Sequence, residues 1–270
     1  MTSIDESAVP DYRGLLDLDG RAGMVVGAGQ GMGRQAAHAL AQVGVSVLCV
    51  DVESDRADAV AGEISGVACV ADARERADVQ RMVDTAADRL GGLDIVIDVV
   101  GMARWSELTS TTDEDWEWTF GMVLRHAQLL TQIAGRYMAD HRGGSMTFIG
   151  SVSALSSAPL HAPYGAAKAG LLSLVRTAAV ELGPSGVRVN AVVPGGVRTP
   201  RILAQQAERG GPPRPALEPL GKAAETSDIA SAALFLSSDL ANHITGHSLV
   251  VDGGATASFV YPVSQLPPPS

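Results

Sequence analysis

Three residues between positions 151 and 168 carry side chains that can move a proton together. Tyr164 follows Ser151 by 13 positions, and Lys168 follows Tyr164 by four. A helix that begins near Pro163, a favoured first-turn residue, would place Tyr164 and Lys168 on one face, one turn apart. An ammonium group beside a phenol stabilises phenolate, which a general acid or base near neutral pH requires. Taken alone, the pair fits a surface lysine beside a half-buried tyrosine better, so its meaning depends on a nearby cofactor site.

A glycine-rich turn follows the apolar run at 24–26. It reads GAGQGMG over 27–33 and leads into RQAAHALAQ, which favours a helix. Glycines allow a tight turn and close backbone approach to a pyrophosphate, while the helix N-terminus offers free amides. An ordinary strand-to-helix turn is the alternative, because the spacing GxxxGxG differs from the commoner GxGxxG. The turn predicts dinucleotide contacts at Gly27, Gln30, Gly31, Met32 and Gly33.

The next strand pattern ends in an acidic residue, Asp51. A carboxylate in that position can accept hydrogen bonds from the adenosine ribose hydroxyls, and its charge would repel a 2'-phosphate. Neither Gln30 nor the predicted cofactor neighbour Val52 supplies a cation for such a phosphate. NAD is therefore predicted as the cofactor and NADP is disfavoured, although Arg34 and Arg56 leave NADP open.

A second aspartate, Asp72, follows the third strand pattern and precedes Ala73. Ligands of doubly wound sheets collect at the carboxyl ends of the strands. Asp72 and Ala73 are therefore predicted to line the cofactor site, with Asp72 near the adenine amino group. Capping of the following helix is an equally good interpretation of Asp72.

The chain has a formal net charge of -10 and an isoelectric point near 5.0, with no basic run. This balance argues against nucleic acid or an anionic membrane as a partner and favours a small-molecule substrate. Cys49 and Cys69 lie in separate apolar runs, which predicts buried free thiols in a reducing compartment. Without a long apolar run or a signal-peptide pattern, we expect a cytoplasmic protein. His243 and His247 lie in a turn and strand pattern, so no metal site is expected.

Short apolar runs alternate with longer helical segments along the chain. Strands are predicted at 24–26, 45–50, 67–70, 93–100, 145–150 and 187–193 and near 250, and helices at 32–43, 54–64, 75–90, 113–140, 163–182 and 226–238. Most of the strands are apolar nearly throughout, which is typical of strands buried on both faces. The pattern predicts an α/β fold, a Rossmann-type doubly wound parallel sheet of about seven strands with helices on both faces.

No internal repeat or low-complexity linker divides the chain. One domain is therefore predicted over 21–256, with an N-terminal arm at 1–20 and a C-terminal tail at 257–270. Apolar surface on the helices at 113–140 and 163–182 predicts a homo-oligomer, a tetramer or a dimer.

The substrate side is predicted from segments that follow strand ends. Residues 198–220 combine a short amphipathic helical start with a glycine- and proline-rich loop, which is typical of a lid over bound substrate. Apolar residues in this and two other segments predict a hydrophobic pocket, although they could equally pack against another subunit. The predicted pocket residues are Trp105, Leu155, Leu160 and Ile202.

Six residues and motifs follow one another along the chain: GxxxGxG, Asp51, Ser151, Tyr164, Lys168 and PGGVRTP at 194–200. Their order resembles the classical short-chain dehydrogenase/reductase family. The resemblance covers about residues 18–256 and implies a nicotinamide cofactor and hydride transfer between its ring and a carbonyl or secondary alcohol. Tyr164 would be the proton donor or acceptor, and Ser151 would bond the substrate oxygen. Lys168 would support Tyr164 and hold the nicotinamide ribose. The family implies cofactor contacts at Tyr164 and Lys168 and at Val99, Gly101, Pro194, Gly195, Val197 and Thr199.

Three positions depart from the family pattern. The threonine before the first glycine is Val26, the NNAG motif reads DVVG over 98–101, and the helix asparagine aligns with Val123. Valine has no donor or acceptor for the contacts that threonine and asparagine make, so the proton relay must be rerouted. His126, three residues beyond Val123, is a candidate for that relay, with a core or interface histidine as the alternative. Asp98 is expected to accept backbone amides, because a buried carboxylate needs partners.

The combined pattern predicts an NAD-dependent alcohol dehydrogenase or ketoreductase. Its substrate would be a small to medium hydrophobic secondary alcohol or ketone of alicyclic, terpenoid or steroid-like character. Two alternatives stay open. One is a dinucleotide-binding sensor or scaffold with weakened catalysis, and the other is a dehydratase or epimerase on the same fold. The intact set of Ser151, Tyr164 and Lys168 argues against the sensor.

Overall fold

The computed structural model describes residues 8–210 and 218–257. Parts of three predicted segments, the arm at 1–20, the lid at 198–220 and the tail at 257–270, lie outside the described residues. Within the described portion of the arm, Leu18 is buried, and its backbone N–H donates to the Val43 carbonyl. This contact attaches the end of the arm to the turn after the first long helix.

Within residues 8–210 and 218–257, seven strands follow one another with helices between them. They are β1 (Ala22–Val26), β2 (Ser46–Asp51), β3 (Val67–Val70), β4 (Ile95–Asp98), β5 (Gly144–Ile149), β6 (Val187–Pro194) and β7 (Ser248–Val251). All pair in parallel, in the order β3-β2-β1-β4-β5-β6-β7. The predicted doubly wound parallel sheet is therefore confirmed. The run at 93–100 forms a shorter strand than expected, because its last residues turn away into the ligand-binding edge of the sheet.

Eight α-helices accompany these strands in the described part of the chain. They are α1 (Gly31–Ala41), α2 (Ser54–Ile64), α3 (Arg76–Leu90), α4 (Asp113–Phe120), α5 (His126–Ala139), α6 (Ala162–Leu182), α7 (Pro200–Arg209) and α8 (Thr226–Ser237). The helix predicted over 113–140 runs without a break from Asp113 to Ala139, and a π-helical turn at Gly121–Arg125 joins α4 to α5. Such turns insert one extra residue into a helix and are frequent at functional sites. Val123 lies within this one.

Successive residues of each strand point to opposite faces, so an apolar strand feeds two cores. On one face, Met24 and Phe148 pack against buried residues of α3, α5 and α6. On the other, Val25 and Ile97 pack against α1, α2 and α8. The helix layers on both faces explain why the strands lack the polar alternation of a half-exposed sheet.

The sheet topology fixes where a ligand can bind. The chain runs outward from β1 through β2 to β3 and then returns to the other side of β1 at β4. Loops after β1 and β4 therefore diverge and leave a crevice at the carboxyl ends of the strands. The glycine-rich turn follows β1, and Asp98 to Gly101 follows β4, so both predicted cofactor segments meet at this crevice.

The two thiols are expected to resist alkylation in the folded protein. Cys49 is fully buried, and burial raises its pKa to about 12, while burial also raises the pKa of Cys69. The thiolate is the reactive form, so iodoacetamide at pH 8 should label the native chain at least about 10³-fold more slowly than the urea-unfolded chain. Mass spectrometry of timed samples measures both rates. Stoichiometric labelling of native protein on the time scale of the unfolded control would contradict the burial.

Candidate active site

The glycine turn after β1 forms a cradle that side chains would fill. Gly27 and Gly31 have φ angles of +83° and +56°, in the left-handed region that favours glycine. A Cβ at Gly33 would lie 1.9 Å from the Gly27 carbonyl oxygen, and one at Gly29 would lie 2.5 Å from Asp51 Oδ2. The turn thus brings backbone amides to the N-terminus of α1 with no side chain in the way, as a pyrophosphate site requires.

A cleft opens along this turn and across the ends of β1, β2, β3 and β4. Eleven of the predicted cofactor contacts line it: Gly27, Gln30, Gly31, Met32, Asp51, Val52, Asp72, Ala73, Val99, Gly101 and Thr199. Further lining residues, which the sequence did not single out as cofactor contacts, are Val26, Val50, Ala71, Arg74, Val100, Met102, Met122, Pro200 and Arg201. The cleft is therefore broader than the predicted set and includes the start of α7.

Asp51 shapes the cleft through its backbone contacts. Its Oδ2 accepts the Gly29 N–H at 2.9 Å, and its Oδ1 accepts the Glu53 N–H at 3.1 Å. These bonds attach the end of β2 to the glycine turn and hold the carboxylate at the cleft wall. Arg56 pairs with Glu53 at 3.1 Å. Arg34 pairs with Glu63 at 2.7 Å, so both guanidinium groups that left NADP open have acidic partners.

Asp72 also lies in the cleft wall, paired with Arg74. The Arg74 Nε donates to Asp72 Oδ1 at 3.0 Å and to Oδ2 at 3.1 Å. This guanidinium holds the pKa of Asp72 below its usual value. Asp72 also accepts the Arg74 backbone N–H at 2.9 Å, so it both stabilises the turn after β3 and lines the cleft. Asp72 does not cap the following helix, whose N-cap residue is Glu75, so its place in the cleft lining favours the cofactor interpretation.

Tyr164 and Lys168 occupy one face of the first turns of α6. The Lys168 Nζ lies 5.8 Å from the centre of the Tyr164 ring. Lys168 is 2% exposed, and its Nζ donates to the Ile149 carbonyl at 2.6 Å. A Cβ placed on Gly101 would lie 3.1 Å from the same Nζ. The ammonium group therefore lies where the ends of β4, β5 and α6 converge, beside the cleft.

Ser151 lies at the opposite end of the loop that leads from β5 to α6. It caps the short turn Val152–Ala154, and its Oγ accepts the Ser153 N–H at 3.2 Å. The carbonyl oxygen of Ser153 would lie 3.0 Å from a Cβ on Gly165, the residue after Tyr164. The turn that carries Ser151 thus packs directly on the N-terminal end of α6.

The segment after β6 closes the cleft from the far side. Thr199 lines the cleft, and its Oγ1 accepts the Ile202 N–H at the start of α7. Pro194 and Gly195 pair with the end of β7, and Val197 forms a parallel bridge with Ala224. These contacts place Pro194, Gly195 and Val197 behind the lining residues. Gly33 likewise lies behind the residues that line the cleft.

The predicted substrate residues lie in three places. Trp105 lies beside Tyr164, with ring centres 6.1 Å apart. Leu155 and Leu160 line a neighbouring cavity against the outer side of α6. Ile202 is half-buried in the first turn of α7, next to the residues that line the cleft. The sequence did not predict His161, whose ring lies 4.2 Å from Trp105 and 6.3 Å from Tyr164. The sequence signal that could have identified His161 is its position three residues before Tyr164.

Asp98 and His126 form a buried pair below the cleft. Both side chains are 1% exposed, and His126 Nδ1 lies 2.7 Å from Asp98 Oδ2, although the two groups are not aligned for a hydrogen bond. Asp98 Oδ1 accepts the Val100 N–H at 3.0 Å, the kind of backbone contact expected for this carboxylate. His126 lies in the core next to fully buried Val123. This position of His126 agrees with the alternative interpretation, in which His126 is a core histidine and not part of a proton relay.

Two negative observations concern the described residues. No helix in these ranges combines the length and apolar character needed to cross a bilayer. The same part of the chain contains no cluster of three or more His, Cys, Asp or Glu side chains placed to hold a metal ion.

Comparison with known proteins identifies the family. A family model described as enoyl-(acyl carrier protein) reductase matches residues 27–256. D-threitol dehydrogenase of Mycolicibacterium smegmatis is 34% identical over 95% of this chain and 99% of its own length. 2,3-dihydro-2,3-dihydroxybenzoate dehydrogenase of Bacillus subtilis is 32% identical over 88% of this chain and 97% of its own. The chain therefore belongs to the short-chain dehydrogenase/reductase family and is an oxidoreductase of that family.

A solved structure supports the same assignment. A 7α-hydroxysteroid dehydrogenase complexed with NADH and 7-oxo glycochenodeoxycholic acid superposes with a TM-score of 0.84 at 28% identity. The match covers 91% of this chain and 98% of that enzyme. The fold of this chain therefore follows that of an enzyme whose structure was solved with NADH.

Proposed function

We propose that the protein is an NAD-dependent dehydrogenase or ketoreductase that interconverts a secondary alcohol and a ketone. The observation that carries this proposal is the placement of Lys168. Its buried ammonium group lies beside Tyr164, is held by the Ile149 carbonyl, and faces Gly101 in the cleft wall so closely that a Cβ on that glycine would lie 3.1 Å away. A proton-transfer pair and a dinucleotide cradle therefore share one edge of the sheet.

In the oxidation direction, Tyr164 accepts the hydroxyl proton of the substrate through its phenolic oxygen. Lys168 stabilises the negative charge that this oxygen carries before it takes the proton. Ser151 donates its hydroxyl hydrogen to the substrate oxygen and holds the reacting carbon in place. As the C–H hydride leaves, the C–O bond becomes a carbonyl, so the alcohol is oxidised and one proton remains on Tyr164. In the reduction direction, Tyr164 returns that proton to the carbonyl oxygen.

The cleft residues suit a nicotinamide dinucleotide. The backbone of the turn at Gly27 and Gly31, which lines the cleft, suits a pyrophosphate, and Asp51 suits the adenosine ribose. When bound, the nicotinamide ring supplies the hydride acceptor. Thr199 and Gly101 would hold the ring end of the cofactor near Lys168. Superposition on an enzyme that contains NADH supports this assignment.

A small to medium hydrophobic substrate, alicyclic, terpenoid or steroid-like, is proposed from the surface around Tyr164. Large apolar side chains on the segments at the cleft and before α6 are partly exposed: Met102 at 37% in the cleft lining, Trp105 at 50% beside Tyr164, and Leu160 at 45% in the neighbouring cavity. Exposed apolar groups that cluster at a cleft are typical of a ligand site. The steroid ligand of the 7α-hydroxysteroid dehydrogenase supports an apolar substrate, whereas the named substrates of the threitol and dihydroxybenzoate enzymes carry several hydroxyl groups.

The proposal is tested with a panel of secondary alcohols and ketones. Each compound is supplied with NAD or NADP, and the absorbance of reduced nicotinamide is followed over time. We expect turnover with NAD and at least one alicyclic alcohol. Tight NADH binding without turnover on any compound would overturn the proposal in favour of a dinucleotide sensor. Conversion without net nicotinamide reduction would favour a dehydratase or epimerase.

Asp51→Asn is expected to weaken the preference for NAD. The amide keeps the shape of the side chain and an acceptor for the Gly29 N–H but removes the charge that repels a 2'-phosphate. Because like charges in contact cost several kcal/mol, the ratio of kcat/KM for NAD to that for NADP should fall about ten- to a hundredfold. Steady-state kinetics with both cofactors measures this ratio. Asp55→Asn, in the first turn of α2, is the matched control and should leave it unchanged.

We also propose that residues 21–256 form one catalytic domain. We further propose that the protein is a homo-oligomer, either a tetramer or a dimer, whose subunits meet through α4, α5 and α6. Exposed Trp116 and Val180, at 40% and 76%, support such a contact. Light scattering coupled to gel filtration measures the mass of the particle. A monomer at micromolar concentration would contradict the oligomer.

A further inference from the structure

Trp105, His161 and Tyr164 form a triangle of rings at the mouth of the site. The ring centres lie 4.2 Å apart for Trp105 and His161, 6.1 Å for Trp105 and Tyr164, and 6.3 Å for His161 and Tyr164. The other two ring centres lie within 6.3 Å of the Tyr164 ring centre, so atoms next to a hydroxyl group bound at Tyr164 can reach them. His161 also lines the neighbouring cavity that contains Leu155 and Leu160. Trp105 is half exposed and presents an apolar face.

A contact with the backbone determines which ring nitrogen of His161 carries the proton. His161 Nδ1 lies 2.8 Å from the Pro159 carbonyl oxygen. A carbonyl oxygen can only accept, so Nδ1 carries the proton. In the neutral ring, Nε2 then has a lone pair and accepts hydrogen bonds. Nε2 makes no hydrogen bond within the described part of the chain, and it points to the opposite side of the ring from the Pro159 carbonyl.

The loop before α6 holds the imidazole in this orientation. Leu160 adopts a φ angle of +68°, a left-handed conformation that leucine rarely takes. That conformation lets the chain turn so that the Pro159 carbonyl meets the side chain two residues later. Unfavourable backbone conformations persist where the surrounding structure enforces them, frequently at functional sites. The acceptor at Nε2 is thus preorganised before a substrate arrives.

We propose that Trp105 and His161 form a subsite for a second hydroxyl group next to the reacting carbon. The substrate class is an alicyclic vicinal diol, with the corresponding α-hydroxyketone as product. The ring of the substrate packs on Trp105, one hydroxyl contacts Tyr164, and the adjacent hydroxyl donates to His161 Nε2. This inference rests on the proposed function, because it names the substrate of the same site.

The chemistry of the step is that of the proposed reaction. The reacting carbon loses its hydride to the nicotinamide, and its hydroxyl proton passes to Tyr164. The second hydroxyl keeps its proton and its bonds throughout, so His161 accepts a hydrogen bond and transfers no atom. His161 and Trp105 are therefore specificity-determining residues and take no part in bond breaking.

Three matched substrates test the subsite: cis-1,2-cyclohexanediol, cis-2-methoxycyclohexanol and cyclohexanol. The methyl ether keeps the size and the oxygen of the diol but has no proton to donate. A hydrogen bond at a half-buried acceptor supports a kcat/KM for the diol about tenfold above that for the ether. His161→Phe keeps a ring and removes the acceptor, and it should reduce the diol-to-ether ratio to near one. Trp105→Ala should lower kcat/KM for all three substrates.

The chain offers a matched control in His141. Its Nδ1 also lies close to a backbone carbonyl, that of Tyr137, at 2.7 Å, and its ring also stacks on an aromatic neighbour at 4.1 Å. It lies beyond the end of α5, outside the cleft lining. His141→Phe should leave the three kcat/KM values and their ratios unchanged.

Binding gives a readout that is independent of turnover. With NAD and the Tyr164→Phe variant, isothermal titration calorimetry measures Kd for the diol and the ether without conversion. We expect the diol to bind about tenfold more tightly, and the difference to vanish when His161→Phe is added. Equal Kd values for diol and ether, or a diol preference that survives His161→Phe, would overturn the subsite. Oxidation of cyclohexanol alone would overturn the subsite and leave the proposed function intact, whereas no nicotinamide reduction with any alcohol would overturn both.

Discussion

Tyr164→Phe is expected to lower kcat/KM for the best substrate about 10³-fold, the range typical for loss of a positioned general acid or base. The ring, its packing beside Trp105 and the position of Lys168 should remain, because the substitution removes one oxygen from a half-buried side chain. NADH affinity should therefore stay within about threefold of the unmodified enzyme. Steady-state kinetics gives the first quantity and fluorescence titration with NADH the second.

Tyr137→Phe is the matched control for that loss. Tyr137 is half-buried on α5 and stacks on His141, far from the cleft lining. Its substitution removes the same atom and should leave kcat/KM unchanged. If Tyr164→Phe retained more than a tenth of the activity, proton transfer would have to run through another group, and the assignment of Tyr164 would be wrong.

The fold was predictable because its signals are local and repeated. Each strand is a short apolar run, and some helices begin at a recognisable capping residue such as Thr112, whose side chain accepts the Asp115 N–H. The π-helical turn at Gly121–Arg125 was not predictable in this way. Its residues GMVLR have the same helical character as their neighbours, and the extra residue is accommodated by packing that no window of sequence contains.

The candidate site was predictable where backbone position alone fixes a contact. Asp51 meets the glycine turn because parallel neighbouring strands end together, and Tyr164 and Lys168 share a face because they are one turn apart. Contacts between particular pairs of side chains were not predicted. Arg74 pairs with Asp72 in the cleft, and His126 reaches Asp98 from another element. These pairings depend on side-chain conformations and distances that sequence spacing does not determine.

His126→Leu is expected to destabilise the protein by about 3–5 kcal/mol. The substitution keeps the volume of the side chain but leaves the Asp98 carboxylate with no partner at Oδ2, in a site that is 1% exposed. Removal of the partner of a buried carboxylate typically costs this much, because the carboxylate stays desolvated with no neighbouring group to compensate it. Urea unfolding at fixed protein concentration measures the change. His38→Leu, which breaks a half-exposed pair with Glu63, is the control and should cost much less.

Asp98→Asn separates the effect of the charge from that of the shape. Asparagine can still accept the Val100 N–H and keep the wall of the cleft, but it carries no charge to pair with His126. The double variant, Asp98→Asn with His126→Leu, should therefore be more stable than His126→Leu alone. If the double variant were no more stable, desolvated charge would not be the cause of the loss.

Asp98→Asn with nearly unmodified stability and NADH affinity would show that the pair does not brace the cleft. An altered pH–rate profile in His126→Ala, without loss of stability, would instead return His126 to the proton relay.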